Sequence, residues 1–536
     1  MIKEYITQKL VLIGNKLKRK ITYKVNNKLI EREYQYIPIR YILAILITVL
    51  EVATIIGIVI SLCYFIPFFY LTAMVTQIGC VLKIISSDDN PDYKVPWLLF
   101  VLILPIAGFM LYFIFSSRKL KKKFVKRLED LNNKTYEKQD EKEFETLKSE
   151  NLTAYSQAKM LTKTAKTHLF TNVLQKYYSS GEEMFLGILE DLKNARKFIY
   201  LEYFIIEQGR FWNSIFQILQ EKVNDGVEVK VIYDDIGCMK TLPGDYYKIL
   251  RKVGIQATCF SRLRGAADSE FNNRNHRKLL IIDGYIGWTG GVNIADEYIN
   301  EVERFGYWKD CGIRLEGQAV WELTKLFVID FGINVKQIPL TENLLYPNCE
   351  RSFQGYLVPF GDGPKPLYER GVGKGIIQSM LGSATKSVCI TTPYLIIDND
   401  LCQSLEDAAL RGVDVKIVLP RIPDKKIIFA ISRSFYKRLM DAGVKIYEYE
   451  PGFIHSKMYL VDGDTAMVGT INMDYRSLTH HFENGVWLYK CDCINNMNQD
   501  FLEILDSSLL MDEESIKLSP FKRFLRAVVR IFAPLF

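Results

Sequence analysis

Histidine is scarce in this chain: His168, His276, His455, His480 and His481 are the only five in 536 residues. Cysteine is present, with ten residues, but lacks pairing by spacing. There is no C-x-x-C, and the nearest pair, Cys491 and Cys493, has no second Cys/His pair to complete a zinc site; the two read as strand-edge thiols. No small-residue cleavage site follows the apolar run, and the basic start is too long for a secretory signal. Scattered, unpaired thiols fit a reducing compartment. Charge of one sign is also missing: 69 Lys and Arg against 62 Asp and Glu leave +7. A nucleic-acid groove needs a basic stripe interleaved with aromatics, and the charges of residues 167–510 are of mixed sign.

What the chain has is hydrophobic residues, 49% of the total, with a mean hydropathy of +0.01, high enough to suggest a membrane part. After a basic segment (residues 1–40) comes an expected membrane anchor (41–117). Its first apolar stretch, Tyr41 to about Ile85, is divided by Pro67 and carries Glu51 and Lys83. Its second, Val95–Phe115, has no charge and the length of one helical span, with Trp97 and Tyr112 near its ends as interfacial aromatics. Basic residues crowd both flanks, which favours an even number of crossings with the rest of the chain in the cytoplasm. Two crossings are expected, with three left open. Residues 118–166 are charged, lack proline and glycine, and read as a helical or partly disordered connector. In the tail (511–536), Phe521, Phe524, Leu525, Val528, Val529 and Phe532 fall at helical spacing against Lys522, Arg523, Arg526 and Arg530, the pattern of a helix lying on an anionic membrane surface.

Residues 167–510 form a tandem repeat, divided near 337/338. NARKFIYLEYFII and DGVEVKVIYDD in the first half answer SATKSVCITTPYLI and RGVDVKIVLP in the second. Each is followed by a helix ending in glycine, then by a strand. Apolar strands alternating with helices predict an α/β fold, two helix-covered sheets related by a pseudo-twofold.

Each half then carries H-x-K-x-x-x-x-D, a small-residue turn and Asn: His276, Lys278, Asp283, Gly290, Gly291 and Asn293 in one, His455, Lys457, Asp462, Gly469, Thr470 and Asn472 in the other. On a strand, residues i and i+2 share a face, so each histidine is expected beside its lysine. The aspartates are expected at the far strand ends, to return through a turn or to hold a histidine or its neighbours. Two histidines, two lysines and two asparagines suit a phosphodiester. The lysines and asparagines stabilise phosphoryl charge, one histidine attacks phosphorus, and the other exchanges protons with the leaving and entering alcohols.

The paired motif resembles the phospholipase D superfamily, and RNHRKLLIIDGYIGWTGGVNIADEY, PGFIHSKMYLVDGDTAMVGTINMDYRS, YWKDCGIRLEG and the apolar DNPDYKVPWLLFVLILPIAGFMLYFIF resemble bacterial cardiolipin synthases. The resemblance implies one metal-free active site shared by both repeats and no cofactor. It makes His276 the nucleophile and His455 the acid–base, an order that the residues alone leave open. It also implies supporting roles for Arg476, Ser477 and Glu483. The implied reaction is phosphatidyl transfer between two phosphatidylglycerol molecules, giving cardiolipin and glycerol, with phosphatidylglycerol and anionic lipid as partners and no nucleic acid. A phospholipase D-type hydrolase releasing phosphatidic acid is the alternative, a membrane-anchored nuclease is a weaker one, and a scaffold with dead repeats ranks last. Where the family has an apolar residue and Asn before Phe-Glu, this chain has His480 and His481; these read as wall residues, and His168 as incidental.

Overall fold

A computed structural model describes residues 18–25, 28–35, 39–65, 67–115, 126, 130, 141–262, 273–334, 353–365, 367–368 and 370–535. The first repeat is a seven-stranded sheet in the order Leu174–Tyr178, Gly312–Glu316, Ile286–Gly290, Leu279–Ile282, Phe198–Tyr203, Glu228–Asp234, Gln256–Phe260. The second is an eight-stranded sheet: Tyr356–Asp362, Glu483–Tyr489, Thr465–Gly469, Met458–Val461, Ser387–Thr391, Asp414–Pro420, Lys445–Tyr449, Ser508–Leu510. Seven positions correspond strand for strand. In each sheet the three strands with helical crossovers run parallel, and the strand after the H-x-K motif pairs antiparallel to the first of them. The expected α/β repeats are thus present, and their motif strands are buried along their whole length. Gly226 and Gly412, which open the Gly-Val-x-Val-Lys segments, take φ of +86° and +89°, left-handed values that close the preceding helix at low cost only without a side chain.

The repeats share one core. Leu279, Ile281, Ile313 and Phe327 of the first pack in one cluster with Met458, Leu460, Val468 and Val486 of the second. Backbone pairing also crosses the divide, with Gly452–Ile454 running parallel to Tyr307–Lys309. The connector's second half is folded: helices Lys142–Glu150 and Leu152–Ala165 bury Phe144, Leu147, Ala158 and Leu161 against the second repeat. Its residues 118–125 lie outside the described part.

The apolar region corrects one expectation. Val95–Phe115 is not a single span but two helices, Pro91–Ile103 and Pro105–Phe115. Pro105 brings no N–H to the helix ladder and disfavours helical backbone in Leu104, which sits at φ −121° and ψ 81°. Pro67 does divide the first stretch, into helices Ile39–Phe65 and Pro67–Ser86. Among the fully described residues no helix is long and apolar enough to cross a membrane. The region is tied to the second repeat: Asn90 Nδ2 donates to Asp398 (2.7 Å), and Asp92 accepts from the Tyr475 hydroxyl (3.0 Å) and the Asn399 amide (2.9 Å).

Candidate active site

Both H-x-K segments lie just before their strands, which begin at Leu279 and Met458. The difference from the expected placement has a clear origin: each histidine amide is committed to the other repeat. His276 N–H donates to Phe482 O (2.9 Å), and His455 N–H to Lys309 O (2.7 Å). The next residue after each of those carbonyls is a carboxylate, and it takes the imidazole. Both Glu483 oxygens lie 2.9 Å from His276 Nδ1, and Asp310 Oδ2 lies 2.7 Å from His455 Nδ1. The two histidines are therefore held by a crossed exchange, each repeat supplying an imidazole to one pair and a carboxylate to the other.

Glu483 also accepts from the hydroxyls of Thr470 (2.5 Å) and Ser477 (2.5 Å), so three of the expected supporting residues converge behind His276. Gly291 stands against Asp310, where a Cβ would fall 1.9 Å from Oδ1. Gly469 lies against the Asn484 carbonyl, 2.4 Å from where its Cβ would be. Gly290 adopts φ +156° against Cys311 and Gly312. Asn293 accepts from the Ile205 amide (3.1 Å) and donates to Tyr298 OH (2.7 Å). Tyr298 and Trp308 in turn pack on the His455 ring. Asn472 has a buried Oδ1 with no hydrogen-bond partner among the described residues. Arg476 contributes its carbonyl, which accepts from the amides of His480 (2.8 Å) and His481 (2.9 Å).

Asp283 and Asp462, expected among the catalytic groups, are hydrogen-bonded to backbone amides at the start of a neighbouring strand and not to the histidines. Asp283 accepts from the amides of Arg196 (2.8 Å), Lys197 (2.6 Å) and Phe198 (2.9 Å). Asp462 accepts from those of Thr385, Lys386 and Ser387 and from the Thr385 hydroxyl. Each clips the start of the neighbouring strand. His168 is likewise not idle: its Nδ1 lies 2.6 Å from Glu322, away from the motif histidines.

The electrostatics follow from burial. Burial, helped by Lys278, pushes His276 down to about 3 against the pull of Glu483. Burial, then Lys457 and Lys278, hold His455 well below its ordinary value. Although burial opposes it, His276 holds the Glu483 carboxyl well below the usual carboxylate range. Asp310 is pushed up to about 6 by burial, partly offset by Lys457. Burial also lowers Lys278 to about 7 and Lys457 to about 8. Each ammonium donates to the carbonyl of its own histidine, Lys278 to His276 at 2.7 Å and Lys457 to His455. At neutral pH both imidazoles are uncharged with Nδ1–H directed at a carboxylate, which leaves the Nε2 lone pair available.

Comparison with known proteins identifies the family. The family model described as cardiolipin synthase, PLD-like domain, matches residues 188–303 and 377–505, and a phospholipase D-nuclease N-terminal model matches residues 76–116. Cardiolipin synthase of Geobacillus kaustophilus is 34% identical over 85% of this chain and 91% of its own. Cardiolipin synthase 2 of Bacillus anthracis is 35% identical over 85% and 89%. The chain belongs to the cardiolipin synthase family. Among solved structures, phosphatidylserine synthase of Haemophilus influenzae Rd KW20 shares the fold at a TM-score of 0.53 and 15% identity, over 71% of this chain and 98% of that one.

Within this cardiolipin synthase family member, sequence reasoning missed one carboxylate, Asp310. The signal was present: Asp310-Cys311-Gly312 and Glu483-Asn484-Gly485 are the same acid-x-Gly step, each opening the strand that pairs with its repeat's motif turn.

Proposed function

We propose that the protein is a cardiolipin synthase that transfers a phosphatidyl group from one phosphatidylglycerol to another. The crossed exchange of imidazoles and carboxylates carries this reading, because it supplies two oriented, uncharged histidines to one site. His276 Nε2 attacks phosphorus, the N–P bond forms, and the P–O bond to glycerol breaks. His455 gives its Nε2 proton to the departing glycerol. It then takes the proton of a second phosphatidylglycerol's hydroxyl, whose oxygen displaces His276. His455 is uncharged at rest, so its proton arrives with substrate: the phosphodiester anion raises the imidazole's proton affinity. Lys278, Lys457, Asn293 and Asn472 stabilise the charge on the phosphoryl oxygens.

The substrate lives in a bilayer, and the chain is suited to one. Leu46, Ile47, Leu50, Val75, Ile78 and Leu82 are exposed on the first two apolar helices, a surface stable against lipid rather than water. We place the chain in the cytoplasmic membrane, multi-pass, with the repeats on the cytoplasmic side where the basic flanks belong. The C-terminal helix Pro520–Ile531 supports this. Arg526 and Arg530 donate to the Arg433 and Ser434 carbonyls of the second repeat (3.2 Å each), while Phe521, Phe524 and Leu525 face outward. Arg526 and Arg530 face the protein, Lys522 and Arg523 are exposed, and the outward Phe521, Phe524 and Leu525 are open to a lipid surface.

Purified protein in phosphatidylglycerol vesicles is expected to yield cardiolipin and equimolar glycerol without added metal. His276→Ala and His455→Ala are each expected to abolish turnover while the protein still folds. Phosphatidic acid as the main product overturns the synthase reading in favour of the hydrolase.

A further inference from the structure

His481 stands beside the reacting pair and has no part in the chemistry above. Its side chain is 12% exposed, and neither ring nitrogen has a hydrogen-bond partner among the described residues. Its Nδ1 lies 3.6 Å from Glu483 Oε1, beyond hydrogen-bond range. Its ring centroid is 5.6 Å from that of His276. A mostly buried imidazole whose Nε2 has no hydrogen-bond partner among the described residues and whose Nδ1 is only within ion-pair reach of Glu483 points to a ligand that the protein's own groups do not supply.

We propose that His276, His481 and Glu483 form an inhibitory site for a divalent transition-metal ion of the zinc class. One ligand atom from each lies within 4.8 Å of the others. Two imidazole nitrogens and a carboxylate oxygen are a borderline donor set that zinc binds with a fourth position left for water. Bonds of about 2.0–2.2 Å at tetrahedral angles set ligand atoms roughly 3.3 Å apart. The observed edges, 2.9 Å from His276 to Glu483 and 3.6 Å from His481 to Glu483, bracket that spacing. Magnesium and calcium prefer oxygen ligands and are not expected to compete. Lys278, close to His276, opposes a second cation and keeps binding reversible.

On binding, the metal takes the Nδ1 lone pair of the neutral imidazole's other tautomer, so the ring proton of His276 moves from Nδ1 to Nε2. The Nδ1–H···Glu483 hydrogen bond is lost, and the metal draws electron density from the ring. Nε2 then carries the proton and offers no lone pair to phosphorus. The inhibitory part of the inference rests on the proposed transferase reading; the binding part does not.

The test uses the full chain in phosphatidylglycerol vesicles, with Co²⁺ as spectroscopic probe and Zn²⁺ as inhibitor. One equivalent of Co²⁺ is expected to give the visible absorption of a low-coordinate N/O site, displaced by Zn²⁺, and Zn²⁺ is expected to stop turnover reversibly on chelation. In His481→Phe, turnover without added metal is expected to remain, the Co²⁺ band to vanish, and the inhibitory Zn²⁺ concentration to rise by more than about tenfold, the loss that removing even a supporting residue brings. His481→Gln, which keeps a polar side chain, covers the case in which the phenylalanine variant fails to fold. No Co²⁺ band in the native chain, zinc bound without inhibition, or equal zinc sensitivity in both variants overturns the proposal. A His481-dependent band in a chain that makes no cardiolipin leaves the metal site standing and removes the synthase reading instead.

Discussion

At the scale of single residues, the site is tuned by desolvation more than by pairing. The two motif lysines and Asp310 set opposite limits on activity. Burial brings Lys278 down to about 7 and Lys457 to about 8, so as pH rises through these values the two ammonium groups are lost in turn and phosphoryl charge is less well stabilised. Burial brings Asp310 up to about 6, so as pH falls through that value the carboxylate gains a proton and no longer orients His455. A bell-shaped kcat/KM is expected, with an acid limb near the Asp310 value and an alkaline limb that begins near the Lys278 value and is complete above that of Lys457. Vesicle assays across this window check it, and a flat profile contradicts it. The same distinction separates Asp310 and Glu483 from Asp283 and Asp462. The first two face the imidazoles, whereas the last two occupy left-handed backbone, at φ of +53° each, and serve strand amides.

That difference becomes testable at the scale of elements. Asp283→Ala or Asp462→Ala frees three or more amides at the start of a central strand, which is expected to destabilise the fold by about 1–3 kcal/mol. Chemical denaturation of each variant measures the loss, while the residual folded fraction is expected to keep most of its turnover. A collapse of turnover with unchanged stability would instead assign the aspartates to the chemistry. The C-terminal helix offers a second test. Phe524 is 65% exposed on its outer face. Phe524→Trp in vesicles is expected to show blue-shifted emission quenched by lipids brominated along their acyl chains. Quenching by an aqueous quencher alone would show that this face meets water. Proline placement matters as much as hydropathy in the apolar region. Val95–Phe115 carries enough apolar residues for a span, but Pro105 divides it, and a window average does not register one missing N–H.

At the scale of the whole molecule, the pseudo-twofold makes the two repeats interdependent. Each depends on the other for the carboxylate on its histidine, for the carbonyl that fixes its histidine's amide, and for part of a shared core. Both histidines belong to one chain, so mixing His276→Ala and His455→Ala proteins in the same vesicles is expected to restore no turnover. Recovery of activity would mean that sites form between chains. The N-terminal helices join this unit through Asn90, which binds Asp398, and Asp92, which binds Asn399 and Tyr475, the first residue of the short helix Tyr475–Thr479 that carries Ser477. Held by Ser477, Glu483 is thus two contacts away from the apolar region.

The tandem motif, the α/β repeats and the phosphodiester chemistry were legible in the residues. These properties are periodic and local: H-x-K recurs with its glycine turn and Asn, and strand and helix periods alternate around it. Thr470 was legible in the small-residue turn of the second motif, and Ser477 and Glu483 through the family resemblance that continues beyond it. Asp310 stands outside both motifs, and its acid-x-Gly likeness to Glu483 gains meaning only when the pairing of Gly452–Ile454 with Tyr307–Lys309 sets it beside His455, 145 residues away. Spacing likewise could not decide where Asp283 and Asp462 point, because a left-handed residue at a strand end turns the side chain toward whichever chain the sheet places beside it. The fold class and the reacting groups are thus properties of the sequence by itself. Which carboxylate holds which histidine, and the placing of His481 against Glu483, were decided by tertiary structure, because those contacts exist only once two distant repeats share one core.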